Sequence, residues 1–340
     1  MDDLSCLAFE SQAESLSAAM LAVLEYLGMM PQSKKIFSEG KFQVEGKVLG
    51  ININLDTMIA SIPPDKIAKA LARIKGVSGS RSTSYKPLEE LPGILQWIGQ
   101  VLVRAGVHLP FTICALKAAY ARPLVRVSSA LRAELAWWSN LLSSWNGRAM
   151  IIDPVWVVSA HTSDLAPFTD ASRDDGKGGG GAIFLHYFYA CLWTKLECKH
   201  FTIYELEGFM HVLWIQWITD NVPHLVTGKR FITRCDNMSF CDASRRGRSS
   251  YPCIDWLLRQ LHTLQSKFSF ELDIQHVPGV LNIASDAASR GYWDVFFKNV
   301  KEESNFTFAD MVQVQIPQRN TWSLKLLSLK LSEKDTQLRH

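Results

Sequence analysis

The chain has 340 residues, 47% hydrophobic and 20% charged side chains, and a formal net charge of +3. That composition excludes a disordered or fibrous chain and leaves room for two hydrophobic cores. The small net charge means that any nucleic-acid surface must come from local clusters of basic residues.

The N-terminal MDDLSCLAF sets two adjacent carboxylates, Asp2 and Asp3, ahead of apolar Leu4. Taken alone they read as a frayed acidic terminus. From Ser11 to Leu27 apolar residues recur at Leu16, Met20, Val23, Leu24 and Leu27, so an amphipathic helix ending at Gly28 is expected. The stretch 41–63, KFQVEGKVLGININLDTMIASIP, alternates and carries turn residues, which predicts short antiparallel strands ended by Pro63-Pro64. Asp65 is expected to cap the next helix, which has Ile67, Leu71 and Ile74 on one face and Lys66, Lys69 and Arg73 on the other. A Gly/Ser-rich stretch, 76–84, reads as a linker, and helical periodicity returns over 88–104, 110–120 and 128–143. Trp137, Trp138 and Trp145 are expected in the core.

From about Asp164 the pattern changes to strands, then a helix (203–218), a strand (230–235), a helix (251–266), a strand (269–277) and a short helix (282–290). This order predicts an α/β (α+β) unit with a mixed sheet flanked by helices, and GAIFLHYFYACLWT (181–194) reads as a buried hairpin within it. The last 45 or so residues show no core pattern. No apolar run reaches the ~18 to 20 residues of a membrane span, and no basic-then-apolar leader opens the chain, so a soluble intracellular protein, in cytoplasm or nucleus, is expected. Seven scattered cysteines without a C-x-x-C pair fit a reducing compartment, and Cys191, Cys198 and His200 match no common zinc spacing.

Four acids stand at strand ends or helix starts of the second half: Asp170 in FTDAS, Glu205 in YELEGF, Asp236 in RCDN and Asp286 in NIASDAASR. These are positions where α/β folds turn side chains into a shared crevice. Four carboxylates repel one another unless hard cations hold them, most naturally Mg²⁺. Two such ions, ~3.5 to 4 Å apart, can clamp a phosphodiester. The stretch 229–248 gathers Lys229, Arg230, Arg234, Arg245, Arg246 and Arg248 against Asp236 and Asp242, a basic cluster suited to phosphate contacts.

The strings FTDAS, YELEGF, RCDN and HVPGVLNIASDAASR, in that order, resemble the ribonuclease H domain of retroelement reverse transcriptases of the gypsy or DIRS type. The resemblance implies that Asp170, Glu205, Asp236 and Asp286 are catalytic metal ligands, with Glu205 preferred to Glu207 because Leu206 and Gly208 follow it in the family's pattern. It implies two Mg²⁺ ions, with Mn²⁺ as an alternative, an RNA–DNA hybrid as partner, and neither a small-molecule cofactor nor a membrane. The family's mobile histidine has no match: Val280 stands near its place, and His276 is expected to be structural. Where the family has a short turn, this chain has the longer RDDGKGGGGA (173–182), with Asp174 and Asp175 as loop charges.

The N-terminal segment resembles the reverse-transcriptase palm from its Y-x-D-D box onward, cut at the tyrosine, so Asp2 would be a metal-binding remnant of the polymerase box. LRAELAWWSNLLSSWNGRAMI (131–151) resembles the connector that precedes ribonuclease H in DIRS-type elements. The implied organisation is a partial palm and the start of a thumb (1–75), a thumb and helical connector (76–150), a ribonuclease H-like domain (151–292) and an extension of unknown role (293–340). Lys66, Lys69 and Arg73, with Arg245, Arg246 and Arg248, would contact nucleic acid. A catalytically inactive remnant that keeps the fold is the alternative.

Overall fold

The structure is a computed structural model and describes residues 10–26, 44–152, 156–157, 167–174, 177–303 and 306–337. Asp2 and Asp3 lie outside the described residues. Helix α1 (Ala13–Tyr26) precedes three short antiparallel strands, β1 (Glu45–Val48), β2 (Ile51–Asn54) and β3 (Ile59–Ser61), and then α2 (Pro64–Ser78). Asp65 does not cap α2: Pro63 takes the cap position, Pro64 the first helical position, and Asp65 lies in the first turn. Proline suits that position because its missing N–H would have no partner there anyway.

Next come β4 (Ser82–Thr83), α3 (Tyr85–Ile98), α4 (Pro110–Ala121), β5 (Val125–Arg126), α5 (Ser129–Ser144) and β6 (Arg148–Met150), which closes the first sheet beside β3. Ser128 caps α5 by accepting from the Leu131 N–H. Leu88, Leu91, Leu95 and Ile98 of α3, Ile74 of α2 and Leu135 and Trp138 of α5 form one buried core, so the helical periodicity here translates into packing. Trp137 and Trp145 are buried in it as well.

The second half runs β7 (Trp156–Val157), β8 (Phe168–Ala171), β9 (Gly179–Phe184), β10 (Tyr187–Leu192), α6 (Lys195–His200), α7 (Ile203–Asn221), β11 (Arg230–Cys235), α8 (Met238–Arg246), α9 (Pro252–Phe268), β12 (Glu271–His276), α10 (Ile283–Arg290), α11 (Trp293–Glu303), β13 (Val312–Gln313) and α12 (Arg319–Gln337). The sheet order is β12-β11-β8-β9-β10-β13, with β7 also paired to β11. β8, β9 and β10 are antiparallel neighbours, whereas β8, β11 and β12 run parallel. The carboxyl ends of β8, β11 and β12 therefore share one edge of the sheet. Helix α7 is buried nearly all round, from Leu206 to Thr219, and fills the core between the sheet and α9.

Two further expectations change. Gly179, Gly180 and Gly181 are strand, paired to β10 and in part to β8, and the lack of a side chain lets α10 lie directly on β9: a Cβ at Gly181 would stand 2.2 Å from the Ser285 carbonyl oxygen and 2.6 Å from the Ser289 nitrogen. The segment beyond residue 292 also takes part in the core, since Phe296 and Val300 are buried near Phe188, and β13 adds a strand beside β10. Helix α12 seats Leu326 in the main core, pairs Arg319 with fully buried Glu197 at 2.8 Å and crosses Trp322 edge-on to Trp256. No helix among the described residues is long and apolar enough to cross a membrane.

The halves meet along α9. His108 and His262 are bonded ring to ring at 2.9 Å, Trp137 Nε1 donates to Thr263 Oγ1 at 3.0 Å, and Ser266 Oγ donates to the Val103 carbonyl at 2.6 Å.

Candidate active site

Asp170 sits one residue before the end of β8, and Asp236 immediately follows β11, so the parallel pairing of these strands brings their carboxylates to one edge. Asn237 caps α8 by accepting from the Phe240 N–H, which turns the chain sharply after Asp236. Helix α7 supplies the third acid, and it is Glu207. Its Oε1 accepts from the Ala171 N–H at 3.2 Å, and its side chain is 4% exposed.

Glu205 is elsewhere. It closes a capping box at the start of α7, with Glu205 Oε2 accepting from the Thr202 N–H at 2.8 Å, and its Oε1 pairs with Lys330 of α12 at 2.8 Å. In this geometry Glu205, expected among the clustered acids, stands apart from them. Residues two apart on a helix point about 200° apart, so Glu205 and Glu207 cannot both face the strand ends. The sequence held the signal: Thr202 stands three residues before Glu205 at the head of an apolar run, the spacing of a capping box.

Helix α10 brings Asp286 to the rim. Ser289 Oγ, one turn on, donates to Asp170 Oδ2 and ties the helix to the end of β8. Arg290 donates to Asp286 at 2.7 Å and to the exposed loop acid Asp174 at 3.1 Å. On the loop before α10, Gly279 stands over Asp236, where an added Cβ would lie 3.6 Å from Oδ2. Beneath the site, fully buried His211 of α7 bonds Thr169 of β8 at 2.8 Å and Thr233 of β11 at 2.9 Å, which fixes the two strands that carry Asp170 and Asp236.

The electrostatics follow from this crowding. Burial raises the Asp170 carboxyl to about 7, and the charges of Asp236 and Asp286 push the same way, against the Ser289 hydrogen bond and Arg290. Burial also pushes Glu207 well above the usual carboxylate range, with Asp170 and Asp236 adding to it. Asp236 is raised too, first by burial. Among the described residues, buried Glu207 Oε2 and Asp236 Oδ1 have no hydrogen-bond partner. Acids held unpaired and out of water are the donor set a divalent cation satisfies, so these residues fit bound Mg²⁺.

The basic residues divide. Arg246 and Arg248 are exposed near the end of α8, and Arg245 is half-exposed with Asp242 at 3.4 Å. Lys66 and Lys69 are exposed on α2, but Arg73 is bound to Glu90 of α3, so it braces two helices and the expected basic face is reduced to the lysines. His276 ends β12, paired with Cys235 in the parallel register, and its charge favours ionised Asp236.

No protein-family model matches the sequence, and no curated protein does either. Among solved structures, one described as the foamy viral protease-reverse transcriptase dRH in complex with double-stranded DNA is similar over 78% of this chain, at 11% identity and a TM-score of 0.26. The match spans 48%, about half, of that protein's length.

Proposed function

We propose that this chain is the C-terminal part of a retroelement reverse transcriptase, of DIRS or gypsy type, and that its second half is a ribonuclease H which cuts the RNA strand of an RNA–DNA hybrid. One observation carries the reading: Asp170, Glu207 and Asp236 gather at a single sheet edge, with Asp286 at the rim, buried oxygens left unpaired, and Arg290 as the cation bonded to the cluster.

Asp170, Glu207, Asp236 and Asp286 would hold Mg²⁺, which supplies Lewis-acid stabilisation of a phosphodiester and a more acidic water. The chain's own residues do the rest. Ser289 and His211 hold Asp170 and its strand in place, and the exposed arginines Arg246 and Arg248, with Arg245, would take the phosphates of the duplex without reading its sequence. Lys66 and Lys69 would offer a second, thumb-like contact. Asp2 would be a metal-binding acid of a polymerase box, a site whose two-metal chemistry takes acids from more than one strand.

The test is cleavage of a labelled hybrid by the purified chain with Mg²⁺. We expect RNA-strand products from the parent chain and loss of them in Asp236→Asn. Unchanged cleavage in that variant would contradict the site. No cleavage by the parent chain, with hybrid binding intact, would favour the inactive remnant.

A further inference from the structure

Cys235 brings a thiol to the edge of the acid cluster, and the nuclease reading gives it no task. Its Sγ, a carboxylate oxygen of Glu207 and a carboxylate oxygen of Asp236 all lie within 4.8 Å of one another. The second observation is independent of that crowding. Glu207, 4% exposed, keeps Oε2 buried with no hydrogen-bond partner among the described residues, and Asp236 Oδ1 is in the same condition. A buried acceptor without a donor bears its desolvation cost unrelieved, and a cation relieves it.

The donor types decide which cation. Mg²⁺ takes oxygen ligands in a near-octahedral shell and keeps several waters, so a sulfur beside it contributes nothing. Thiolate with two carboxylates suits a borderline or soft ion that accepts four ligands, three from protein and one from solvent. We infer that Glu207, Cys235 and Asp236 form a mixed thiolate–carboxylate site for a thiophilic divalent cation of the Zn²⁺ class. On binding, a metal–sulfur bond forms as the Cys235 thiol proton leaves to solvent, and no electron changes hands.

Asp170 and Asp286 stay outside this set. Zn²⁺ would thus take two of the four acids assigned to Mg²⁺ and hold the cluster in a form that lacks its hard-ion shell. That inhibitory consequence rests on the nuclease reading, whereas the site itself does not.

The test titrates Cd²⁺ into the Mg²⁺-free full chain carrying Cys114→Ser, which removes an exposed thiol, and reads the sulfur-to-cadmium charge-transfer absorption. We expect a saturable band that Cys191→Ser leaves in place and Cys235→Ser abolishes, with circular dichroism unchanged. Glu207→Gln, nearly isosteric, should weaken Cd²⁺ by more than the about tenfold that loss of even an outer-shell partner costs. No band in the parent, or a band that survives Cys235→Ser, overturns the site. Should Cys235→Ser fail to fold, Glu207→Gln decides alone, and unchanged affinity there overturns it. Hybrid cleavage with Mg²⁺, measured in parallel, separates the two readings: a band without cleavage contradicts the nuclease and keeps the metal site, and cleavage without a band does the reverse.

Discussion

Asp170 is 3% exposed and its carboxyl is held at about 7, far above a free aspartate. Because the native state holds that proton more tightly than the unfolded chain, metal-free stability falls as pH rises from about 4 to about 7. Asp170→Asn should therefore stabilise the metal-free protein at neutral pH, by on the order of 1–3 kcal/mol, while ending cleavage. Thermal denaturation without divalent ions checks it, and a lower melting temperature would mean the carboxylate is not under electrostatic load. Glu207 is passed over for Glu205 in the sequence because the family string is matched on Glu205, whereas the Thr202–Glu205 spacing marks Glu205 as a capping residue and leaves Glu207 for the strand ends. Ser289 and His211 carried no signal at all: a serine in a short polar helix and a histidine in an apolar one are ordinary until the strands they bond are known.

Helix α10 lies on a strand of glycines because no other residue lets the two backbones come so close. Gly181→Ala puts a Cβ against backbone that cannot swing away, so overpacking should cost ~1–3 kcal/mol and displace Asp286 and Ser289 together. Cleavage should drop further than stability alone explains. Gly93→Ala in α3, where a Cβ meets nothing within 4 Å, should instead gain up to ~1 kcal/mol and leave cleavage unchanged. Equal effects of the two would sink the close-approach argument. The glycine run reads as a loop in sequence since glycine is the common turn signal, whereas its pairing to β8 and β10 makes it strand and the approach of α10 requires the missing side chain at Gly181. Helix α12 was illegible for a related reason: its attachments are polar as much as apolar. Lys330→Met should cost ~3–5 kcal/mol, because Glu205 would be left buried without its cation. A melting temperature equal to the parent's would show the latch to be idle.

Across the whole molecule, the hairpin at 181–194, the long helices and the parallel strands followed from periodicity. The contact between halves did not, because His108 and His262 are 154 residues apart. Burial lowers His108 to about 2 and His262 to about 3, and nearby charge adds to it, from His262 and Arg259 on His108 and from Arg104 and Arg259 on His262. His211, lowered by burial to about 3, behaves alike. Below about pH 6.5 the unfolded chain binds protons that these native histidines refuse, so their contribution is complete above that pH and is lost as pH falls toward 3. Replacing His262 by Gln should flatten the acid side of the stability–pH curve, and an unchanged slope would place the acid sensitivity elsewhere. The acids of the cluster act oppositely over part of this range, which is why the comparison is made between variants. Substituting Arg245, Arg246 and Arg248 together should weaken hybrid binding for every sequence and make its salt dependence shallower by up to ~0.9 per lost contact. An unchanged salt slope would move the duplex surface away from α8.

The acid that α7 brings to the cluster is Glu207, and the proposed cleavage of RNA in hybrids depends on it. Mg²⁺-dependent cleavage by Glu207→Gln and Glu205→Gln, each measured well below its own melting temperature, tests it most directly. Glu207→Gln should lose cleavage by about a hundredfold or more, beyond what outer-shell changes cost, whereas Glu205→Gln should melt earlier yet cleave within a few-fold of the parent. Loss of cleavage in Glu205→Gln with Glu207→Gln still active would contradict the account.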